Sequence, residues 1–409
     1  MDIPGLPARR AALKLVDAVL NRGETLDQAG HNAMQGLVSG ADKGLALALA
    51  AESLRWQTDL DDLIDSATQQ RLADDAKARA VLRIMLAGWL RLETPPHAVI
   101  ATGLPLLVGG PRRLAHGVFS ALDRRSAKLP AAPTLAPAVM QRWGERALTI
   151  SAALAVPPPL DLTLRDHAET AQWAEKLGGI SLMPGHVRLP RGDAIENLEG
   201  FSDGAWWVQD LAASLPARLL GDGTGRSVLD ICAAPGGKTL QLAAAGWQVT
   251  ALDASAKRLE RLQQNLARTA LNADLVQADA LEWPSDALFD AVLLDAPCTA
   301  TGTCRRHPDV LHRIGERHIG EMAELQAALL ERAAEWVKPG GRLVYAVCSM
   351  EQAEGADQAM RVSLATDPIS ADELPDGIGS TPEGWLQTDP GMLSEAGGLD
   401  GFFIARWQP

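Results

Sequence analysis

The chain has 409 residues, enough for two or three domains that each bury a core of their own. Hydrophobic residues make up 47% and charged residues 22%, which is typical of a globular protein, and no stretch is apolar enough for a membrane span or a signal peptide. Four cysteines are too few for a disulfide framework, so we expect reduced thiols and a cytoplasmic location.

The net charge of −13 argues mildly against a nucleic-acid partner, but a local basic patch can decide binding. The basic residues are clustered along the chain. The clusters are Arg112, Arg113, Arg124, Arg125 and Lys128; Arg258, Arg261 and Arg268; and Arg305, Arg306 and His307.

Residues 1–132 are predicted to form an all-α domain, because apolar residues recur there at helical spacing between short breaks. The segment from Arg112 to Lys128 either contacts phosphates or forms a solvated helix face, and the pattern alone favours neither interpretation. The predicted helices cover 11–20, 45–56, 60–72, 78–92 and 114–122.

Residues 133–204 are predicted to contain a linker helix and a small α+β module. Proline and alanine are frequent at both ends of the linker, and a helix over 138–154 separates them. Strands over 160–164 and 187–189 flank a helix over 168–177, and the module ends near Gly204. Its core would be thin on its own, so we expect it to pack on the larger domain that follows.

Residues 205–409 alternate strands with helices, which predicts an α/β, Rossmann-like domain built on a mostly parallel, doubly wound sheet. A tight glycine turn follows the first strand of this domain and precedes a helix. The predicted strands cover 227–231, 248–253, 275–279, 290–295, 341–347 and 401–407.

The glycine turn runs from Cys232 to Lys238 and indicates a small-molecule site, because a helix N-terminus presents backbone N–H groups and partial positive charge. A Walker A loop would need glycine at the position of Cys232, and no G-x-G-x-x-G follows this strand. Asp253, Asp279 and Asp295 end the next three strands, at the edge where the turn lies. These acids favour a nucleoside ligand, and we interpret the turn as a loop for the methyl donor S-adenosylmethionine.

Two cysteines follow neighbouring strands: Cys298 after Asp295-Ala-Pro, and Cys348 after Val347. A thiolate beside a methyl donor suits methylation of a pyrimidine, since its addition to carbon 6 makes carbon 5 nucleophilic. Without C-x-x-C spacing or paired histidines, we expect no metal. The pattern does not rank the two thiols, and the Pro-Cys nucleophile of cytosine DNA methyltransferases would favour Cys298. Cys232 and Cys304 are interpreted as packing residues.

Two groups of short motifs carry a resemblance to known proteins. The first group is Arg9-Arg-Ala-Ala-Leu13, Leu82-Arg83, Pro95-Pro-His-Ala-Val-Ile100 and Gly117-Val-Phe-Ser-Ala-Leu122. The second group is Trp206-Trp-Val-Gln-Asp210, Cys232-Ala-Ala-Pro-Gly-Gly-Lys-Thr239, Asp295-Ala-Pro-Cys298, Thr301-Gly302, Arg305-Arg-His-Pro-Asp309, Cys348-Ser349 and Asp400-Gly-Phe-Phe403. In the first group the chain resembles a NusB-like RNA-binding domain, and in the second it resembles the Sun-type RNA cytosine-C(5) methyltransferases.

This resemblance implies transfer of a methyl group to a cytosine of 16S ribosomal RNA, with Cys348 as nucleophile and Cys298 assisting product release. The family's usual serine after Pro-Cys is Thr299 here, and its usual threonine before Cys-Ser is Val347, which removes one polar contact to the base. The implied cofactor-binding residues are Cys232, Ala233, Ala234, Pro235, Gly236, Gly237, Lys238, Asp253, Asp279 and Asp295.

The expected partner is small-subunit ribosomal RNA, either naked or in an early stage of assembly. We expect the protein to be a monomer that binds neither a membrane nor a metal ion. A non-catalytic RNA-binding or ribosome-assembly factor that retains the fold is the alternative of a different class. A DNA or uridine methyltransferase using the same thiol chemistry is a third.

Overall fold

The computed structural model describes residues 3–192 and 194–409. The helices, apart from short 3₁₀ turns, are α1 Leu6–Arg22, α2 Leu26–Ala33, α3 Gly40–Arg55, α4 Gln57–Asp65, α5 Lys77–Leu90, α6 Pro96–Gly103, α7 Gly109–Arg124, α8 Pro137–Trp143, α9 Arg146–Leu154, α10 Thr170–Leu177, α11 Leu211–Arg218, α12 Gly237–Ala244, α13 Ala256–Thr269, α14 Val310–Arg313, α15 Glu316–Glu335 and α16 Ala356–Ala359. The strands are β1 Leu160–Leu164, β2 His186–Leu189, β3 Trp206–Val208, β4 Ser227–Ile231, β5 Gln248–Asp253, β6 Asp274–Gln277, β7 Phe289–Asp295, β8 Val337–Val347, β9 Ala365–Thr366, β10 Leu386–Gln387 and β11 Phe403–Gln408.

The chain divides into two compact units. The first is helical and contains the residues up to Val156 together with the later segment Cys304–Ile314. The second contains Pro157–Thr303 and Gly315–Pro409 and holds both sheets. The division into the three domains 1–132, 133–204 and 205–409 stays a prediction. None of the helices within the described residues is long and apolar enough to cross a membrane.

The helical unit is built on α5, which is buried along most of its length. Leu82 and Leu86 pack with Leu60 and Phe119 in one apolar cluster. Arg83 of the same helix is almost fully buried, and its Nε and Nη2 donate to the two carboxylate oxygens of Asp61 at 2.8 and 2.7 Å. This bidentate pair satisfies a charge that would be costly to bury alone.

The segment Cys304–Ile314 leaves the second unit and packs within the first. Arg55 donates from Nη2 to the carbonyl oxygen of Arg305 at 2.6 Å, and His312 Nε2 lies 2.8 Å from the carbonyl oxygen of Leu54. Arg305 itself is only 2% exposed. Its guanidinium therefore does not contribute to a basic surface, although the sequence groups it with Arg306 and His307.

The second unit contains a small antiparallel sheet in the order β2-β1-β3. Asp161 on β1 and Arg188 on β2 are direct cross-strand partners, and both are buried. The Arg188 guanidinium donates two hydrogen bonds of 2.7 Å to this carboxylate. Burial alone would raise the pKa of Asp161, but the bonds from Arg188 hold that pKa below its usual range. β3, which carries Trp206 and Trp207, is paired with β1 in this small sheet.

The larger sheet has the order β10-β11-β8-β7-β4-β5-β6, with β9 paired to β11. The five strands β4 to β8 are parallel, while the last strand, β11, runs antiparallel to β8. The predicted Rossmann-like, mostly parallel sheet is therefore confirmed. β4 lies between β5 and β7, so the strand order reverses there and opens a crevice at the carboxyl end of β4.

Both faces of this sheet are covered, because alternate residues of each strand enter different cores. Val228 of β4, Leu293 of β7 and Val344 of β8 face one apolar cluster. Their neighbours Leu229, Leu294 and Tyr345 face the other, and all six are fully buried. This double burial explains why the strands read as continuous apolar runs.

Several predicted element boundaries differ from the structure. The helix predicted over 60–72 ends at Asp65, and the helix predicted over 138–154 is two helices separated by Gly144, whose φ is +55°. The strand predicted to end at Asp279 ends at Gln277, so Asp279 lies two residues beyond it.

Candidate active site

The glycine turn lies at the carboxyl end of β4, in the crevice where the strand order reverses. Cys232 directly follows β4 with a φ of +61°, and Gly236 has a φ of +111° before α12 begins. A Cβ at Gly236 would lie 2.2 Å from Cδ1 of Leu262 on α13. Glycine is required at this position both for its backbone conformation and for the space beside Leu262.

Asp253 is the last residue of β5, and its carboxylate holds the turn in place. Its Oδ2 accepts from the Ala234 N–H at 3.2 Å, and its Oδ1 accepts from the Ser255 N–H at 2.9 Å. Arg258 of α13 lies 3.1 Å from the same carboxylate and also donates to the carbonyl oxygen of Ala234. Asp253 therefore connects the turn to the start of α13. The remaining lone pairs of its oxygens can accept hydrogen bonds from the hydroxyl groups of a ligand.

Asp295 and Lys238 form an ion pair at the same edge. Asp295 is the last residue of β7, and its Oδ2 lies 2.8 Å from Lys238 Nζ in the first turn of α12. Lys238 is nearly buried, and its ammonium group also lies 5.4 Å from the centroid of the Phe402 ring. Asp279, by contrast, is exposed and accepts a hydrogen bond from the Leu281 N–H in its own turn.

Asp230 lies on β4 directly before this crevice and was not singled out from the sequence. Its side chain is fully buried, and Oδ2 accepts from the Thr239 hydroxyl at 2.6 Å. Oδ1 has no hydrogen-bond partner among the described residues. Burial, together with the nearby charges of Asp295 and Asp253, raises the pKa of Asp230 to about 7.

The two predicted thiols lie side by side. β7 and β8 are parallel neighbours, with Asp295 opposite Ala346, so the residues after both strands emerge at one edge of the sheet. The Sγ atoms of Cys298 and Cys348 are 3.4 Å apart, and both residues are partly exposed. Cys232 lies in the turn itself, where burial followed by the charges of Asp295 and Asp253 raises its pKa to about 12. This keeps Cys232 a protonated packing residue.

The pKa of Cys298 is raised well above 9. The first cause is its contact with the Cys348 thiol, followed by burial and by the negative charges of Cys348 and Glu354. The N–H of Ala300 opposes the shift without reversing it. Cys298 is therefore a protonated thiol at neutral pH and can donate its S–H to Cys348.

A buried network of oxygen-containing side chains lies directly behind the thiols. Thr299 and Ser349, the residues that follow the two cysteines, both donate hydroxyl hydrogen bonds to Glu354. Thr301 Oγ1 lies 3.2 Å from Ser349 Oγ, and the Gly302 N–H donates to the carbonyl oxygen of Cys348 at 3.0 Å. The sequence does not single out Glu354, because no local pattern connects it to Thr299, which lies 55 positions away.

These residues fit S-adenosylmethionine in their chemistry. The first N–H groups of a helix lack intrahelical partners and suit the carboxylate of its methionine portion. The unpaired Oδ1 of Asp230 marks a buried acceptor beside the turn, and Asp253 ends the strand at which a ribose diol is held in such folds. Within the described residues, no group of histidine, cysteine and carboxylate side chains could hold a metal ion.

Comparison with known proteins agrees with this fold and identifies the family. The sequence profile described as 16S rRNA methyltransferase RsmB/F matches residues 217–408, and the NusB family profile matches residues 6–106. The ribosomal RNA small subunit methyltransferase B of Cronobacter sakazakii is 33% identical over 97% of both chains. The protein of the same name from Pseudomonas syringae pv. tomato is 33% identical over 97% of this chain and 96% of its own.

Two solved structures support the fold. The crystal structure of PH0851 covers the whole of both chains with a TM-score of 0.74 at 21% identity. A methyltransferase homolog protein from Pyrococcus horikoshii covers 66% of this chain and 93% of its own, with a TM-score of 0.56 at 27% identity. The chain is 33% identical to the methyltransferase B proteins of Cronobacter sakazakii and Pseudomonas syringae over 97% of its length. It therefore belongs to the RsmB/F family of S-adenosylmethionine-dependent 16S rRNA methyltransferases and carries a NusB-family domain at residues 6–106.

Proposed function

We propose that this chain methylates carbon 5 of a cytosine in small-subunit ribosomal RNA, through a covalent adduct between Cys348 and carbon 6 of the base. The observation that carries the proposal is the pair of thiols 3.4 Å apart at the edge of the sheet where the glycine turn lies. A pyrimidine carbon 5 is a poor nucleophile until a thiolate adds at carbon 6, whereas methylation of an exocyclic nitrogen or a ribose hydroxyl needs no thiol.

The turn Cys232–Lys238 with Asp253, Asp279 and Asp295 would hold the cofactor. When bound, S-adenosylmethionine supplies an electrophilic methyl group to the activated carbon 5. Asp253 is placed for the ribose hydroxyls, since it ends the second parallel strand beside the turn. Asp279 is exposed and lies beyond its strand, so its contribution would be confined to the rim of the site.

Cys348 is the proposed nucleophile, and the state of Cys298 supports this assignment. A protonated Cys298 can donate its S–H to the sulfur of Cys348 and so stabilise the thiolate that attacks carbon 6. Attack forms the sulfur–carbon 6 bond while N3 of the ring takes up a proton from solvent, and we assign the Asp295 carboxylate as the acceptor of the hydrogen bond from that N3–H. The neighbouring Lys238 holds the Asp295 carboxyl group in place.

Adduct formation changes the chemistry of Cys298. Cys348 becomes a neutral thioether, which removes its charge and weakens the contact, two causes of the raised pKa of Cys298. Cys298 can then lose its proton to solvent and accept the proton from carbon 5 of the methylated ring. The sulfur–carbon 6 bond breaks as that proton leaves, N3 releases its added proton, and both cysteines are regenerated.

We infer that the helical unit and the small sheet bind the RNA. The helix α7 and the turn that follows it present exposed basic residues in spite of the negative net charge of the chain. The substrate would be naked or early-assembly RNA and the enzyme a cytoplasmic monomer. The basic residues concerned are Arg112, Arg113, Arg124, Arg125 and Lys128.

A methyl-transfer assay tests the proposal. The full chain is incubated with S-adenosylmethionine labelled in the methyl group and with small-subunit ribosomal RNA, either naked or in precursor particles. The RNA is then digested to nucleosides, and we expect the label in 5-methylcytidine. Label in a uridine or in DNA, or no label with either form of the RNA, contradicts the proposal. Loss of the same 5-methylcytosine from a deletion strain would identify the nucleotide.

A further inference from the structure

Glu354 is a fully buried carboxylate that belongs to neither the cofactor turn nor the pair of thiols. Its Oε1 accepts the backbone N–H of Thr299 at 2.9 Å and an N–H of Gln326 at 3.0 Å. Its Oε2 accepts the hydroxyls of Thr299 and Ser349. Four donors on two oxygens make the arrangement one that a carboxylate fills completely.

The two residues joined by this carboxylate are those that directly follow the two cysteines. Thr299 follows Cys298 in the loop after β7, and Ser349 follows Cys348 after β8. The side chain of Glu354 therefore holds each loop at the residue that directly follows the cysteine. Gln326 of α15 adds a third tie, because its amide donates both to Glu354 and, at 2.9 Å, to the carbonyl oxygen of Pro297.

From this geometry we propose that Glu354 is a positioning residue that holds the two thiols at the separation needed for catalysis. The proposal rests on the proposed function, since it assigns Glu354 to the same two-cysteine reaction. The loops are also joined by the hydrogen bond from the Gly302 N–H to the Cys348 carbonyl and by the contact between Thr301 and Ser349. Glu354 is the charged link at the two residues next to the thiols, so its removal loosens the loops there, and small displacements of reacting groups cost orders of magnitude in rate. The charge of Glu354 also acts on Cys298 directly and helps to keep it protonated.

A purely structural role for Glu354 would act through the stability of its own turn. The turn has a second tie that allows this to be separated, because the hydroxyl of Tyr345 donates to the backbone carbonyl of Glu354 at 2.6 Å. Tyr345→Phe removes that tie and leaves the carboxylate in place. Glu354→Gln preserves the size of the side chain, and the hydroxyls of Thr299 and Ser349 can rotate to accept from its amide. Glu354→Ala removes the carboxylate that links Thr299 to Ser349.

The first measurement needs neither RNA nor methyl transfer. Wild type and the three variants are equilibrated with reduced and oxidised glutathione, and the Cys298–Cys348 disulfide is quantified by peptide mass spectrometry. The equilibrium constant reports the effective concentration of one thiol at the other. We expect Glu354→Ala to lower it about tenfold or more, while Tyr345→Phe and Glu354→Gln remain within about threefold of wild type.

The second measurement separates positioning from folding. For Glu354→Ala we expect kcat for methyl transfer to fall about 100-fold, while KM for S-adenosylmethionine and its dissociation constant stay within about twofold. The proposal would be overturned if Glu354→Ala lost kcat and affinity for S-adenosylmethionine by the same factor, or if its disulfide equilibrium were unchanged from wild type. An equal fall in Tyr345→Phe, or a wild-type chain that forms no such disulfide, would overturn it as well.

The two measurements also distinguish this proposal from the function on which it rests. If the wild-type chain methylates no cytosine, the proposed function fails and Glu354 has no reaction to serve, whatever the glutathione equilibrium shows. If the wild type methylates cytosine and Glu354→Ala retains its kcat, only the role of Glu354 fails.

Discussion

Cys348 follows β8 directly, whereas Cys298 lies three residues beyond β7 with its thiol held protonated by its neighbours. Cys348→Ala should abolish turnover, since no group remains to add to carbon 6. Cys298→Ala should instead allow attack and methyl transfer but block elimination, so that a covalent protein–RNA complex accumulates. Denaturing gel electrophoresis with labelled RNA distinguishes the two outcomes.

The matched control for these variants is Cys304→Ala, a buried cysteine of the helical unit, which should give turnover and no stable adduct. If the adduct accumulates with Cys348→Ala and turnover is lost cleanly with Cys298→Ala, the assignment of the two thiols is reversed.

Asp230 makes a prediction about pH and stability. Its pKa in the folded chain, about 7, lies above the usual 3.8, so its ionisation opposes folding. The stability associated with this group is fully present below pH 4 and is lost as the pH rises through 7. Between pH 5 and pH 8 the free energy of unfolding should therefore fall by about 2 to 4 kcal/mol less in Asp230→Asn than in wild type.

Urea unfolding of the wild type and the variant at both pH values measures this difference. Asp290→Asn is the control, because hydrogen bonds from the Ser227 backbone and Lys338 lower the pKa of Asp290 to about 2, out of this window. An unchanged pH dependence in Asp230→Asn would show that the Asp230 carboxyl is not the group that titrates.

The sequence predicts that the two thiols lie over one crevice but does not predict the side chain that we propose to position them. Cysteines after neighbouring parallel strands must emerge at one edge, so the pairing of Cys298 with Cys348 follows from strand order alone. Glu354 meets Thr299 across 55 positions, through a turn with no periodic pattern. Its burial and its partners are properties of tertiary packing, which a single sequence does not reveal.

At the scale of the element, the glycine turn between β4 and α12 should not tolerate a side chain at Gly236. Gly236→Ala would force an alanine into a φ of +111° and place its Cβ 2.2 Å from Leu262, a buried residue of α13. We expect a loss of stability of about 2 kcal/mol or more and at least a tenfold weaker binding of S-adenosylmethionine, because the turn would have to move.

Gly225→Ala is the matched control for this turn. Gly225 also has a positive φ, +75°, but nothing lies within 4 Å of the Cβ position. We expect a loss of about 1 kcal/mol in urea unfolding and unchanged cofactor affinity by calorimetry. Equal weakening of cofactor binding by both variants would show that the close contact with Leu262 does not matter.

Element boundaries were predictable where a strong local signal ends the element. β4 and β5 follow from apolar runs that end at the glycine turn and at Asp253, and their predicted bounds match the structure. The helix predicted over 138–154 failed because Gly144 has a left-handed φ of +55° that apolar periodicity does not reveal. The pairing of β3 with β1 depends on long-range contact and carries no signal in its short sequence.

At the scale of the whole molecule, the chain enters the helical unit twice. The second entry, Cys304–Ile314, begins six residues after Cys298 in sequence. The motif Arg305-Arg-His-Pro-Asp309 marked this segment in the sequence without indicating where it packs. Resemblance to a family therefore identified the residues, whereas their assignment to a unit required the three-dimensional structure.

The helical unit predicts where RNA affinity comes from. Arg112 and Arg113 lie in the first turns of α7, are exposed, and place positive charge at the end of a helix where the macrodipole disfavours it. Their removal should not destabilise the unit. In Arg112→Ala/Arg113→Ala we expect weaker binding of small-subunit RNA at low salt, and the slope of log K against log salt to fall by about 1 to 2.

Filter binding or fluorescence anisotropy over a salt series measures that slope, with cofactor affinity as the test of an intact second unit. Arg22→Ala is the control, because Arg22 is equally a surface arginine but is paired with Asp17 and Glu24. We expect its slope to equal that of wild type. If the double variant also keeps the wild-type slope, α7 does not contact phosphates, and its basic residues form a solvated face despite the cost to the helix.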